Sequence, residues 1–154
     1  MASGRFYLDK ADPENWAATN TWSARIAGSA RDAGLHPAVI ELMSVRISQL
    51  NGCAYCLDVH GRKALQLGIT AQQLSVLPSW READELFSDL ERAALTIGEA
   101  ATELPDPELR RAELARARAA LTDAQYSALQ WVAIRMNVYN RISILSEHPV
   151  RPRE

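Results

Sequence analysis

The stretch from Pro37 to Gly68 contains two runs of apolar residues with helical spacing, and Asn51-Gly52 separates them. The first run fits a largely buried helix, which Asn51-Gly52 would end by supplying a left-handed residue at its C-terminus. The second run starts at two cysteines and stops at Gly68. Because the turn between the runs is so short, the two helices are expected to lie side by side as a helical hairpin.

The remainder of the chain also shows helical patterns, and signals for β-strands are nearly absent. Capping-box letters, apolar periodicity and helix-terminating prolines predict further helices. Two of them begin at Thr70 and Ser79, and another covers residues 88–103 and ends before Pro105-Asp106-Pro107. Residues 108–120 form a short exposed helix or a helical connection, and the last helix follows Thr122 and covers 123–145. The sequence therefore predicts an all-α fold.

The last predicted helix, residues 123–145, has more apolar residues than one buried face requires. A helix that is apolar around so much of its circumference lies in the centre of a core or at a subunit interface. We expect both locations for this helix, and therefore a homo-oligomer. The tail from His148 to Glu154, with two prolines and two arginines, is predicted to be loosely ordered.

The segment Cys53-Ala54-Tyr55-Cys56 holds the only two cysteines of the chain, and His60 follows four residues after the second. In a helix, Cys56 and His60 lie one turn apart on one face, and Cys53 lies about two turns before His60. A helix N-terminus favours thiolate over thiol through its unpaired N–H groups and its dipole. A thiolate that attacks a peroxide becomes a sulfenic acid, which a second thiol converts to a disulfide. The spacing therefore points to redox chemistry.

Such chemistry also requires proton transfer, for which His60 with a neighbouring carboxylate is suited. Glu41 is the candidate carboxylate, because it lies twelve residues before Cys53 on the first helix of the hairpin. The turn at Asn51-Gly52 would bring part of that helix alongside the cysteine helix. We therefore expect Glu41 and His60 to form a proton relay next to Cys56.

Composition excludes several other classes of function. The 154 residues have the size of one domain, and a formal net charge of -2 gives no electrostatic reason to expect nucleic acid as a partner. We find no apolar h-region at the N-terminus and no run near the ~18 residues of a membrane span, so we expect a cytoplasmic protein without a membrane partner. In that compartment a close cysteine pair is more often catalytic or redox-sensing than structural.

Bound cofactors and metals are not expected. The glycines are isolated rather than grouped in a nucleotide-binding loop, so electrons would come from a protein or small dithiol. Structural zinc normally takes four ligands, and a Cys2His2 site would have to combine the cysteines with scattered histidines from His36, His60 and His148.

The pattern of Glu41, eleven residues, Cys53-x-x-Cys56, three residues and His60 resembles the core motif of the alkylhydroperoxidase AhpD-like family, part of the carboxymuconolactone decarboxylase superfamily. Segment 48–56 reads almost as the consensus of that family, and segments 87–95 and 137–141 resemble its downstream parts. The resemblance covers residues 37–145 and identifies residues 1–154 as a single AhpD-like domain.

This resemblance implies an AhpD-like helical bundle with the C-x-x-C motif at the N-terminus of a core helix. It implies trimers or hexamers, and peroxide reduction with Cys56 as the attacking sulfur and Cys53 as the resolving one. Glu41 and His60 carry over as the proton relay. The chain departs from the founding peroxidase at Tyr55, where that enzyme has a histidine.

The sequence is also compatible with two other functions. A lactone decarboxylase-type lyase shares the fold and makes no use of paired thiols. A redox-sensing oligomer without turnover would form and break its disulfide stoichiometrically.

Overall fold

The computed structural model describes residues 4–153 and is helical throughout its regular structure. This confirms the prediction of an all-α fold. The helices are α1 (Leu8–Ala11), α2 (Pro13–Asp32), α3 (Pro37–Asn51), α4 (Ala54–Gln66), α5 (Ala71–Val76), α6 (Asp89–Glu103), α7 (Pro107–Ala119) and α8 (Asp123–Leu145), with 3₁₀ turns at Leu77–Glu82 and Asp84–Leu86. None of these helices has the length and apolarity that a membrane crossing requires.

The core forms where α3, α6 and α8 pack against one another, and α4 and α2 cover this group from two sides. Gly98 of α6 allows the close approach of α3. A Cβ atom at Gly98 would lie 2.9 Å from Cγ of Met43 and 3.3 Å from Cγ1 of Ile47. Both of these α3 side chains are fully buried. The position of α3, which carries Glu41, therefore depends on the absence of a side chain at residue 98.

A buried carboxylate holds α6 to its neighbours. Glu99 accepts hydrogen bonds from Trp80 Nε1 at 2.8 Å, Arg46 Nε at 2.8 Å and Arg81 Nη2 at 2.9 Å. Burial favours the neutral form of Glu99, but these hydrogen bonds outweigh it and lower the pKa of the carboxyl below its usual value. The ion cluster joins α3, α6 and the 3₁₀ turn at Leu77–Glu82.

Most helix starts and stops follow the predicted signals. Gly52 has the left-handed φ of 69° expected after α3, and Thr70 and Thr122 form complete capping boxes. The start predicted at Ser79 is wrong. Ser79 lies inside the 3₁₀ turn with φ −122° and ψ 32°, and no side chain caps that turn. The buried indole of Trp80 bonds to Glu99, and this contact fixes the segment against its local helical preference.

Helix α2 has no counterpart among the predicted elements. Its 20 residues begin after Asp12, whose side chain accepts from the amide of Asn15, and Pro13 occupies the first turn. It packs along α8 and buries only Ile26 and Ala30. Helix α8 is central to the core as predicted, and its other side exposes about half of Trp131 and Ile134.

Candidate redox-active site

The two cysteines lie at the start of α4. Cys53 is the N-cap residue, and its sulfur accepts a hydrogen bond of 3.3 Å from the amide of Cys56. The two sulfurs are paired, and the Cα atoms are 5.3 Å apart, which is within the range of disulfide-bonded cysteines. Cys53 is 1% exposed and Cys56 is 5% exposed. The pair can therefore exist as a disulfide without any movement of the backbone.

Polar contacts between helices fix the turn that presents these cysteines. The amide of Cys53 donates to the carbonyl of Ser48, and Asn51 donates 2.9 Å hydrogen bonds to Asn137 and Asn140 of α8. Asn140, which is fully buried, also donates to the hydroxyl of Ser48. Asn140 therefore ties α8 to the end of α3.

Glu41 and His60 are in direct contact across the hairpin. His60 Nδ1 lies 2.6 Å from Glu41 Oε2, and the side chains are 20% and 15% exposed respectively. The hydrogen bond orients the imidazole, so that Nε2 is the nitrogen left for other partners. Local helical periodicity places His60 on α4, and the turn at Gly52 folds α3 back so that Glu41 meets it.

Cys56 and His60 line one cavity of about 240 Å³ beside the start of α4. Cys53 is not among its lining residues, so a molecule in this cavity would meet the sulfur of Cys56 first. One part of the wall is apolar and aromatic, and the other is polar. The remaining lining residues are Trp16, Tyr55, Val59, Met136, Tyr139 and Ile142, together with Asp9, Ser143 and His148.

A larger cavity of about 640 Å³ lies on the other side of His60. Glu41 lines it, and Val59, His60, Met136 and Tyr139 line both cavities. Its wall is mainly apolar but includes three cationic side chains, Arg31, Lys63 and Arg135. Burial lowers the pKa of the Arg135 guanidinium, and the nearby Tyr139 and Glu41 act in the opposite direction. This cavity combines an apolar wall with positive charge next to the Glu41–His60 pair.

Several lining residues were not among the predicted site residues. Trp16 and Tyr139 are among them, and their rings meet edge to face at 5.8 Å on the cavity wall. Asp9, Ser143 and His148 also line it. The loose order expected for the tail from His148 to Glu154 stays a prediction. In the part of the tail that the structure describes, His148 contacts α8 and Arg153 pairs with Asp58 of α4. No local pattern in the sequence signals these long-range contacts.

Comparisons with known proteins identify the family of the chain. A profile of the carboxymuconolactone decarboxylase family matches residues 16–100. The uncharacterized protein YdfG of Bacillus subtilis (strain 168) is 34% identical over 114 residues, which are 74% of this chain and 77% of YdfG. The uncharacterized protein YnjA of Escherichia coli (strain K12) is 38% identical over 71 residues, or 46% of this chain and 38% of YnjA.

A solved structure extends the comparison to nearly the whole chain. The crystal structure of ATU0492 from Agrobacterium tumefaciens, a protein of unknown function named as a candidate antioxidant defence protein AhpD, superposes with a TM-score of 0.84. The match is 26% identical in sequence and covers 99% of this chain and 100% of that one. The profile match covers more than half of the chain, and the chain therefore belongs to the carboxymuconolactone decarboxylase family and is AhpD-like.

Proposed function

We propose that this protein is a thiol-dependent peroxidase that reduces alkyl hydroperoxides with the Cys53/Cys56 pair and the Glu41/His60 proton relay. One observation carries the proposal. Cys56 lines a cavity together with His60, while the other side of His60 is bound to Glu41 at 2.6 Å. A nucleophile, a proton carrier and a carboxylate that orients the carrier are the groups that peroxide reduction by a thiol requires.

The reaction proceeds in two balanced steps. The Cys56 thiol gives its proton to the relay, and the thiolate attacks the terminal oxygen of the hydroperoxide. The sulfur–oxygen bond forms as the oxygen–oxygen bond breaks, and the alcohol leaves after taking up a proton. The Cys53 thiol then condenses with the sulfenic acid of Cys56, which gives the disulfide and water. An external dithiol reduces the disulfide and restores both thiols.

The position of the two cysteines relative to the cavity supports Cys56 as the attacking sulfur. Cys56 borders the cavity, whereas Cys53 is 1% exposed and lies behind it at the N-cap position. The helix N-terminus favours the thiolate form of either residue, so access to peroxide decides which one attacks first. Cys53 is then close enough to resolve the sulfenic acid.

The remaining parts of the proposal concern partners. The electron donor is a protein or small dithiol, and no bound cofactor or metal takes part. The protein is a cytoplasmic homo-oligomer, a trimer or hexamer, in which the exposed apolar side of α8 around Trp131 and Ile134 is covered by another copy.

A decarboxylase-type lyase is the second candidate, and the larger cavity favours it. Substrates of such enzymes are organic acids, and Arg31, Lys63 and Arg135 line the cavity that also contains Glu41. That chemistry would use Glu41 and His60 without the cysteines. The third candidate is a redox sensor, which would use the same disulfide without turnover.

Thiol counting separates the three candidates. Reduced protein is treated with one equivalent of tert-butyl hydroperoxide, first alone and then with excess dithiol. A peroxidase loses two thiols and sustains peroxide consumption with dithiol. A single round of oxidation indicates the sensor, and unreactive thiols lead to an assay of lactone acids, in which a Cys56→Ser variant with full turnover would establish the lyase.

The division of roles between the cysteines has its own test. We expect Cys56→Ser to abolish peroxide consumption, because it removes the attacking sulfur. Cys53→Ser should stop after the first step and leave a sulfenic acid on Cys56, which a dimedone-type probe and mass spectrometry detect. Equal trapping in both variants would contradict this assignment.

A further inference from the structure

A second histidine reaches the Cys56 cavity from the C-terminal tail. After α8 the chain turns at Glu147, which has a φ of 50°, and the amide of His148 bonds to the carbonyl of Ser143 at 3.1 Å. The imidazole of His148 stacks on Tyr7 at 5.3 Å and lies 5.1 Å from the ring of Tyr55. Since Tyr55 immediately precedes Cys56, these contacts hold His148 beside the N-terminus of α4.

Both nitrogens of this imidazole face polar groups of the same cavity. Nδ1 of His148 lies 2.9 Å from Oγ of Ser143, and Nε2 lies 3.4 Å from Oδ1 of Asp9. Three separate elements, α1, α8 and the tail, bring these side chains together. All three line the cavity that contains Cys56 and His60. A hydroxyl, an imidazole and a carboxylate in series can pass a proton to a bound molecule.

The buried oxygen of Asp9 lies next to the second ring nitrogen of this histidine. Oδ1 of Asp9 is inaccessible to solvent and has no hydrogen-bond partner among residues 4–153. A buried polar atom without a partner is costly, and a carboxylate oxygen more so. An N–H group on Nε2 of His148 lies 3.4 Å from this oxygen and can serve as its partner. In the series of Asp9, His148 and Ser143, the hydroxyl of Ser143 is then the end that a ligand in the cavity can contact.

We propose that Asp9, His148 and Ser143 form a second proton relay, which protonates the oxygen that leaves when Cys56 attacks a hydroperoxide. The inference rests on the proposed peroxidase function and assigns its second proton transfer. The Glu41–His60 relay takes the proton from the Cys56 thiol. The step requires N–H groups on both ring nitrogens of His148, Nε2–H toward Asp9 and Nδ1–H toward Ser143. As the oxygen–oxygen bond breaks, Ser143 donates its hydroxyl proton to the alkoxide and receives the Nδ1 proton of His148, and solvent then returns a proton to Nδ1. The products are the sulfenic acid and the alcohol.

The leaving group of the oxidant gives a specific test. tert-Butyl hydroperoxide releases a strongly basic alkoxide, which needs a proton, while peracetic acid releases acetate, which does not. Prereduced protein is mixed with each oxidant without reductant, and the rate constant of thiol oxidation is measured by stopped flow. We expect His148→Ala and Ser143→Ala to slow the reaction with tert-butyl hydroperoxide by ~10²-fold, as loss of a general acid usually does. Both variants should react with peracetic acid at the wild-type rate, and added imidazole should restore part of the loss in His148→Ala.

If His148 has only a structural role, His148→Ala should slow thiol oxidation equally with both oxidants, and that result would overturn the relay. Unchanged rate constants with both oxidants would also overturn it. Arg153→Gln is the matched control, because it removes the tail contact with Asp58 and keeps the imidazole. It should preserve the wild-type ratio of the two rate constants. If it shifts the ratio as far as His148→Ala does, tail docking rather than proton donation explains the selectivity and the relay is overturned.

The outcomes also distinguish this inference from the proposed function. Wild-type thiols that neither oxidant attacks would overturn both. Wild-type thiols that react with tert-butyl hydroperoxide, together with a ratio unchanged in His148→Ala and Ser143→Ala, would overturn the relay alone.

Discussion

The contact between Glu41 and His60 makes a quantitative prediction about catalysis. Loss of a general acid or base usually costs about 10² in rate, so Glu41→Gln and His60→Gln should each lower kcat/KM for tert-butyl hydroperoxide by ~10²-fold, or about 2.7 kcal/mol. The pair is joined by one 2.6 Å hydrogen bond, and only His60 of the two borders the Cys56 cavity. Glu41 must therefore act through His60.

This arrangement determines the result expected for the double variant that combines Glu41→Gln with His60→Gln. Two independent residues would give a loss of ~10⁴-fold, because their free energies would add. Residues that act as one unit give a double variant no slower than the slower single variant, here ~10²-fold. The assay is the initial rate of peroxide consumption with excess dithiol, with circular dichroism to establish that each variant is folded.

Asp58→Asn is the matched control for the change of a carboxylate to an amide. Asp58 lies on α4 two residues before His60 and pairs with Arg153 rather than with the relay. It should retain wild-type kcat/KM. Multiplicative losses in the double variant, or a full rate in either single variant, would refute the reasoning that Glu41 acts through His60.

Two predictions concern stability, each measured by urea unfolding. Gly98→Ala should be less stable than the helical control Gly28→Ala by about 1–3 kcal/mol. The new Cβ at residue 98 would lie 2.9 Å from the buried Met43, whereas a Cβ at residue 28 meets only Arg31 at 3.6 Å. Equal stability of the two variants would show that α3 moves freely. Glu99→Gln should cost about 3 kcal/mol at pH 6, since it breaks a buried ion cluster. The pKa of Glu99 is lowered in the folded state, so the stability from its ionised form is present above the unfolded value of ~4.3 and declines as pH falls through the folded one. The difference between wild type and Glu99→Gln should therefore shrink below pH 4, and a constant difference would contradict this assignment.

The parts of the fold that could be predicted from sequence are those with local causes. The hairpin of α3 and α4 follows from apolar periodicity and from the left-handed turn at Gly52, and it places Glu41 against His60. Helix α2 was missed because its pattern is weak, with only Ile26 and Ala30 buried over 20 residues. Its capping residue and its proline were readable signals.

Other features depend on contacts between residues that are far apart in the chain. The turn at Ser79 takes its shape from the bond between Trp80 and Glu99, which overrides the capping-box letters. The position of His148 depends on Asp9 in the N-terminal segment and on Ser143 in α8. Hydrophobic periodicity carries no information about such polar contacts, so the cysteine motif was predictable and the far wall of its cavity was not.

In the proposed peroxidase reaction, the two cavities would give peroxide and protons separate routes to the site. Cys56 borders the smaller cavity and Glu41 the larger, and His60 lies in the wall that both share. A hydroperoxide in the smaller cavity therefore leaves the path from His60 through Glu41 to the larger cavity open to solvent. Arg31, Lys63 and Arg135 place three cationic side chains around that larger cavity. An organic anion held by them would block this path, and so it should slow thiol oxidation without competing with peroxide for the Cys56 cavity.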